Sequence, residues 1–507
     1  MRIRKLLRVR FVVYSFTEQE KIMAELTPMM QKYMETKEQY KDCILFYRLG
    51  DFYEMFFDDA IVASKELEIA LTGKSCGLEE RAPMCGIPYH AVETYLARLV
   101  SRGYKVAICE QVEDPKLAKG LVKREVIRVV TPGTNLDVQS LEASKNNYLM
   151  CIAYTSDGIG ISAADVTTGD YYVTEVEDLR KLKDELMKYE PSEIICNEAF
   201  LVSGYDVEDL KSRLHMSVSS LESHMFDDDG CRRILMRHFK VNTLIGLGVE
   251  EFPTGILAAG ALLQYLYDTQ KTDLEHFTHI SPYLTSKYML LDSSTRRNLE
   301  LTETLREKQK RGSLLWVLDK TKTAMGGRLL RNYIEQPLID KEEMEKRLDA
   351  IQELNQDSIS RDEIREYLNP VYDLERLLSK VTYKTATPRD LIAFRNSLQM
   401  LPPIKTVLAG FQKEELAAIR EEIDGLEDIY QLIDEAIVEE PPISIREGGM
   451  IKDQFDETID HLRAAKHDGK QWLVQLEEED RERTGIKNLK IKKNNVFGYF
   501  FEVANSY

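Results

Sequence analysis

Leu49-Gly50-Asp51-Phe52-Tyr53-Glu54-Met55-Phe56-Phe57 is the stretch that decides the fold of the first domain. The apolar and aromatic run at residues 43–48 favours a buried strand, and Asp58-Asp59 opens an amphipathic helical pattern. If the strand resumes after the glycine, residues two apart project from the same face. Phe52 and Glu54 would then face one target together.

This pair of side chains suits the detection of distorted DNA. A ring pushed between base pairs must unstack them, which costs about a few kcal/mol and least where pairing is already faulty. A carboxylate beside a polyanion is unfavourable unless it accepts a hydrogen bond from a base edge, or is protonated and donates one. The alternative, which the pattern alone favours, is that Phe52 is a core aromatic and Glu54 caps the following helix.

Several motifs, read in order, resemble the MutS family of DNA mismatch-repair proteins. The resemblance begins with Thr27-Pro28-Met29-Met30 and includes the stretch that ends at Phe56. It continues through residues 82–92 (APMCGIPYHAV), 106–111 (VAICEQ), 128–134 (RVVTPGT), 291–300 (LDSSTRRNLE), 326–331 (GGRLLR) and 481–485 (RERTG). It covers the chain from about Met23 to the last residue.

The resemblance implies a multidomain fold that combines α/β with all-α parts. The expected domains are a mixed α/β mismatch-recognition domain at 23–135, an RNase H-like α/β connector at 148–270, a long-helix core and lever bundle at 281–445, and an incomplete clamp of helices and a β-hairpin at 446–507. Residues 1–22 are expected to be a non-native or disordered extension, for which a misplaced start codon is the preferred explanation.

The resemblance also implies roles for individual residues. Phe52 would stack on the mispaired base and Glu54 would hydrogen-bond to it. Arg128 would lie near the DNA backbone, where a guanidinium suits phosphate or minor-groove contact. The implied partners are double-stranded DNA with mismatches or small loops, a MutL-type protein and, for a full-length protein, a second copy of the chain.

The sequence contains no phosphate-binding loop, which requires a glycine, four spacers and Gly-Lys-Ser or Gly-Lys-Thr. Gly73-Lys74-Ser75 lacks the first glycine and is predicted to be a surface turn. In the family, ATP and Mg²⁺ bind a C-terminal domain that drives a sliding clamp, and we expect that domain to lie beyond Tyr507. The chain is interpreted as a truncated reading frame, without catalytic residues, cofactor or metal of its own.

A metal-dependent nuclease is the alternative function, because the family's connector has an RNase H-like fold. Strands are predicted at residues 148–154, 159–165 and 171–176. Nuclease chemistry requires several carboxylates that converge on two magnesium ions. Asp165 alone is suitably placed, and both Asp165 and Asp170 are predicted to be structural.

A formal net charge of −18 argues against DNA binding, because phosphate contacts usually require basic surface. A local exception lies near the end of the chain, where Lys490 and Lys492 alternate with apolar residues before the predicted turn at Asn494-Asn495. This pattern predicts a hairpin with a basic face. By the resemblance, Lys490, Lys492 and Asn495 would contact the DNA backbone.

The cysteines and the apolar runs bear on the cellular location of the protein. Seven scattered cysteines without a CxxC pair argue against a zinc site or a disulfide framework, and no apolar run approaches the ~20 residues of a membrane span. We therefore expect a cytoplasmic, nucleoid-associated protein without a membrane partner.

From about Ser281 the pattern is helical, and the apolar stripes at 314–318 and 329–334 are predicted to build the core.

Overall fold

A computed structural model describes residues 26–113, 120–137, 141–212, 214, 216–443, 445–494 and 498–503. The predicted extension at 1–22 and the predicted backbone contact Asn495 lie outside these residues. The chain divides into two compact units. The first contains the residues up to Ala386 together with 400–423, and the second contains 387–399 together with the residues from Asp424 onward.

The first described domain is a six-stranded sheet in the order β3-β4-β2-β1-β5-β6. Its strands are β1 (Cys43–Leu49), β2 (Phe52–Phe56), β3 (Thr72–Lys74), β4 (Ala82–Pro88), β5 (Lys105–Gln111) and β6 (Arg124–Val130). Its helices are α1 (Pro28–Gln39), α2 (Phe57–Leu67) and α3 (Val92–Val100). β1 runs parallel to β5, and the other neighbouring strands are antiparallel.

The deciding stretch forms the hairpin of β1 and β2. Leu49 pairs with Phe52, and Gly50 takes φ +59° in the turn, a left-handed conformation that glycine adopts without strain. The predicted strand at 43–48 and its resumption after the glycine are both confirmed. α2 begins directly after β2, also as predicted.

A second sheet follows in the order β11-β10-β7-β8-β9-β12 among the described residues. Its strands are β7 (Leu149–Tyr154), β8 (Ile159–Asp165), β9 (Asp170–Val176), β10 (Glu193–Cys196), β11 (Ser217–Ser220) and β12 (Ser281–Pro282). Its helices are α4 (Leu179–Tyr189), α5 (Glu198–Leu201), α6 (Val207–Ser212), α7 (Asp228–His238) and α8 (Pro253–Gln270). The three strands predicted at 148–176 are confirmed to within one residue.

The last strand of this sheet corrects a prediction. Ser281–Pro282 pairs with β9 in parallel. The connector was expected to end at 270, and the helical domain was expected to begin at 281. Between this strand and residue 313, the described chain forms one short α-helix, α9 (Ser293–Asn298), and otherwise turns and irregular segments. The sheet pairing therefore continues past the point where the apolar periodicity begins to look helical.

The rest of the first unit is helical. Its helices are α10 (Leu314–Leu318), α11 (Ala324–Glu335), α12 (Lys341–Gln356), α13 (Ser358–Leu368), α14 (Leu374–Thr382), α16 (Leu401–Leu408) and α17 (Glu414–Glu422), with α15 (Pro388–Leu398) belonging to the second unit. The prediction that the stripes on α10 and α11 build the core is wrong for this chain. Leu315 is buried, whereas Leu314, Val317 and Leu329 are exposed.

The segment between the two expected α/β domains, 136–147, is fixed to these helices where it is described. Arg328 of α11 donates to the carbonyl oxygen of Ala143 at 2.9 Å and pairs with Asp373 at 2.7 Å. Arg376 of α14 donates to the carbonyl oxygen of Lys145 at 2.8 Å. Both arginines are buried, so this contact is part of the packing of the unit.

The second unit contains α15, α18 (Glu427–Ala436), α19 (Glu457–Thr484), β13 (Lys490–Asn494) and β14 (Gly498–Glu502). Arg395 of α15 bridges to Asp434 at 2.8 Å and to Glu439 at 2.7 Å. α19 continues without interruption through Asp468 and Gly469. Among the described residues, no helix is long and apolar enough to cross a membrane.

Candidate nucleic-acid interface

Phe52 projects from the end of β2 into solvent. Its side chain is 47% exposed, whereas its neighbours Tyr53 and Met55 are buried on the opposite face at 4% and 0%. Phe52, Glu54 and Phe56 share one face of the strand because they alternate along it. Exposure falls from Phe52 to the buried Phe56, and the alternative that Phe52 is a core aromatic is therefore wrong.

Glu54 lies next to Phe52 on this face and pairs with Lys74 of β3. Its Oε2 atom is 2.6 Å from Lys74 Nζ, and the two side chains are 18% and 33% exposed. The alternative that Glu54 caps α2 is wrong, since Phe56 is the N-cap residue and no side chain caps that position. The turn predicted at residues 73–75 is also wrong, because Gly73 and Lys74 belong to an edge strand. Sequence reasoning therefore missed Lys74 as a member of this site.

A polar network around the Tyr53 hydroxyl holds the strand that carries Phe52 in place. The Arg48 guanidinium lies 3.8 Å from the centre of the Tyr89 ring and bridges to Glu110 at 3.1 Å. The Tyr53 hydroxyl donates to the same Glu110 carboxylate, and burial raises the pKa of Tyr53. The Tyr89 amide donates to the Asp51 carbonyl oxygen at 3.0 Å. The hairpin turn is thereby tied to β4 and β5.

Arg128 lies inside the first unit, between its two sheets. Its Nε donates to Gln270 Oε1 at 3.1 Å, and its Nη2 donates to the Thr134 carbonyl oxygen at 2.8 Å. Desolvation by burial lowers the pKa of this guanidinium. These two hydrogen bonds join β6 to the end of α8 and to the segment that follows β6. The contact of Arg128 with the DNA backbone stays a prediction.

The predicted basic hairpin near the end of the chain is present as β13 and β14, paired with Lys490 opposite Glu502. Lys490 and Lys492 are both exposed. Lys492 Nζ lies 2.7 Å from Glu502, so the charge of Lys492 is partly compensated within the hairpin. The predicted backbone contact Asn495 lies outside the described residues.

The carboxylates considered for a nuclease are structural. The Asp165 carboxylate is fully buried and accepts hydrogen bonds from the Asn147 amide at 2.9 Å and from the Thr167 hydroxyl at 2.7 Å. Asp170 accepts from Asn146 at 2.9 Å. In the part of the chain that the structure describes, no group of three or more His, Cys, Asp or Glu could hold a metal ion. The nuclease alternative is not supported.

Comparisons with known proteins cover nearly the whole chain. Residues 27–139 match MutS domain I, residues 147–280 match MutS domain II, and residues 294–503 match MutS domain III. The DNA mismatch repair protein MutS of Lachnoclostridium phytofermentans is 65% identical over 485 residues, which cover 96% of this chain and 52% of that protein. The DNA mismatch repair protein MutS of Ruminiclostridium cellulolyticum is 53% identical over 488 residues, which cover 96% of this chain and 56% of that protein. The chain thus spans about half the length of these relatives, and it belongs to the MutS family, of which it carries domains I to III.

Proposed function

We propose that this chain recognises mismatched base pairs and small unpaired loops in double-stranded DNA during mismatch repair. The observation that supports this most strongly is the exposed Phe52 ring at the end of an otherwise buried strand. A large apolar side chain held in solvent by a rigid sheet gains contact when it stacks against a base. The network of Arg48, Tyr89 and Glu110 holds the strand in place, so little ordering is required when DNA binds.

Selectivity in this proposal comes from the energy of unstacking. Insertion of Phe52 costs about a few kcal/mol per base step and costs least at a mispaired base, which has already lost its normal pairing. Glu54 lies on the same face and hydrogen-bonds to the displaced base. This hydrogen bond gives the carboxylate a polar partner beside DNA phosphates that would otherwise repel it.

Contacts with the DNA backbone supply affinity without selectivity. Lys490 and Lys492 are proposed for this role because both are exposed on β13. Asn495 is retained as a candidate on the resemblance alone. Arg128 is also retained, with its Nε and Nη2 already donating to Gln270 and to the Thr134 carbonyl oxygen.

The proposal for a complete protein extends further. ATP and Mg²⁺ would bind in a portion other than domains I to III, and nucleotide state would control a sliding clamp. Pairing with a second copy and recruitment of a MutL-type partner would follow recognition. A cytoplasmic, nucleoid-associated location belongs to the same proposal.

The direct test is the affinity of the chain for a labelled duplex with one G·T mismatch or one unpaired T, against the perfect duplex, at about 150 mM salt to weaken non-specific contacts. Phe52→Ala should lower the ratio of the two affinities by roughly 5- to 150-fold, the range of stacking one base on an aromatic ring. Ile61→Ala is the matched control, because it removes an exposed apolar side chain from α2 of the same domain. An unchanged ratio in Phe52→Ala would contradict the proposal.

A further inference from the structure

The ion pair between Glu54 and Lys74 is the feature of the site that the proposed mechanism does not yet use. The Nζ atom of Lys74 lies 2.6 Å from the Oε2 atom of Glu54. The two residues are not cross-strand neighbours, since Glu54 pairs with Gly86 and Lys74 pairs with Ala82 on the intervening strand β4. The lysine must therefore extend along the sheet face to reach the carboxylate.

The path of Lys74 is built into this face. Its Nζ lies 5.5 Å from the centre of the Phe56 ring, the buried residue that follows Glu54 on the same face. Gly86 leaves the space beside Glu54 open, because a Cβ there would lie 3.5 Å from Glu54 Cγ and 3.3 Å from the Tyr53 carbonyl oxygen. The ammonium group of Lys74 thus lies over an aromatic ring while it meets the Glu54 carboxylate.

The charge of the face depends on this pair. An ionised Glu54 without a counterion would present a negative charge to a polyanion at the point of closest approach. A lysine ammonium at 2.6 Å offsets that charge and fixes one carboxylate oxygen, so the second oxygen remains available to a base.

We propose that Lys74 is a positioning residue for Glu54, which orients the carboxylate and offsets its charge where the face meets DNA. Selectivity for mismatched DNA then depends on the two residues jointly. This inference rests on the proposed function. It differs from a role for Lys74 as a phosphate contact, which would act on every DNA sequence alike.

A double-mutant cycle separates these roles in the full chain. The variants are Lys74→Met, Glu54→Gln and their combination, each measured against the G·T duplex and the perfect duplex. Lys74→Met should lower the mismatch-to-perfect affinity ratio by at least about threefold, the scale of a partly exposed ion pair. In the Glu54→Gln background the same change should leave the ratio unaltered, because the neutral amide needs no counterion. Phe52 is retained throughout and keeps the ratio above one.

Two further variants serve as controls. Lys74→Arg should restore most of the ratio, since it retains the cation. Lys32→Met removes one positive charge from the exposed pair with Glu35 in the same domain and should leave the ratio unchanged. Thermal unfolding of each variant verifies that the domain is folded.

The outcomes are distinct. If Lys74→Met weakens both duplexes equally, in both backgrounds, with a salt slope lower by about 0.9, Lys74 is a phosphate contact and the inference is wrong. If the unsubstituted chain does not distinguish the two duplexes, the proposed function itself fails. Lys74→Met could also change the mismatch-to-perfect ratio equally in the unsubstituted chain and in the Glu54→Gln variant. That result would overturn the inference as well.

Discussion

Phe52 and Tyr53 are adjacent in the chain but belong to opposite environments, one 47% exposed and the other 4% exposed with its hydroxyl bound to Glu110. The alternation of a β-strand produces this separation. It divides the motif into a ring that is available for binding and a ring that holds the strand in the domain.

Truncation of these two rings should therefore affect stability to very different extents. Tyr53→Ala should lower the free energy of unfolding of the domain by about 3–5 kcal/mol, the cost of deleting a buried aromatic side chain. Phe52→Ala should change it by less than about 0.5 kcal/mol, as exposed substitutions usually do. Denaturant unfolding followed by circular dichroism measures both. Comparable losses in the two variants would mean that Phe52 is part of the core.

The close approach of β8 to α8 makes Gly160 indispensable. A Cβ at this position would lie 1.9 Å from the Thr254 carbonyl oxygen, a distance that requires the helix or the strand to move. Gly160→Ala should lower the midpoint of thermal unfolding strongly. Gly246→Ala is the matched control, because a Cβ there meets no atom within 4 Å. Equal midpoints for the two variants would contradict this packing.

The buried imidazole of His276 should make stability depend on pH. Burial beside Tyr383 and Phe277 lowers its pKa from 6.5 to about 4. Above pH 6.5 the ring is neutral in both states, so its contribution is fully present. As the pH falls from 6.5 to 4, the unfolded chain binds a proton that the folded chain excludes, and up to about 3 kcal/mol is lost.

His276→Phe should remove this component and flatten the stability curve between pH 6.5 and 4. Urea unfolding at several pH values measures the difference between the two proteins. His224→Gln controls for the removal of a histidine, since His224 is exposed. If His276→Phe has the same pH dependence as the unsubstituted chain, His276 does not carry the effect.

Lys490 should contribute affinity without selectivity. It is exposed on β13 and forms no ion pair with any residue that the structure describes, unlike Lys492. Lys490→Gln should weaken mismatched and perfect duplexes equally and reduce the slope of log affinity against log salt by about 0.9. The corresponding change at Lys492 should be smaller, because Glu502 already compensates its charge. A loss confined to mismatched DNA would place Lys490 among the selective contacts.

The local patterns predicted five of the twelve strands that the structure describes in the two sheets, because burial and alternation act within a few residues. The β1–β2 hairpin and the strands β7 to β9 fall where the sequence predicted them. Predictions that depend on distant partners were less successful. Ser281–Pro282 pairs with β9, which lies more than one hundred residues earlier in the chain, and no local periodicity indicates such a pairing.

The site shows the same division. Spacing and resemblance indicate Phe52 and Glu54 as candidate site residues. The local pattern at Lys74 predicts only a surface turn, whereas the ammonium group of Lys74 meets Glu54 across an intervening strand. Arg128 was expected near DNA because of its motif. Its partner Gln270 lies 142 positions along the chain, so the internal contact could not be read from the motif.

The most direct test of the central claim is photochemical cross-linking from 5-iodouracil placed opposite guanine in an otherwise perfect duplex. Iodouracil cross-links to an aromatic ring stacked on it, and mass spectrometry of the digested complex identifies the residue. The account predicts a cross-link at Phe52 that disappears when the iodouracil is paired with adenine. A cross-link to another residue, or one of equal yield with adenine, would contradict the claim that Phe52 stacks on the mispaired base.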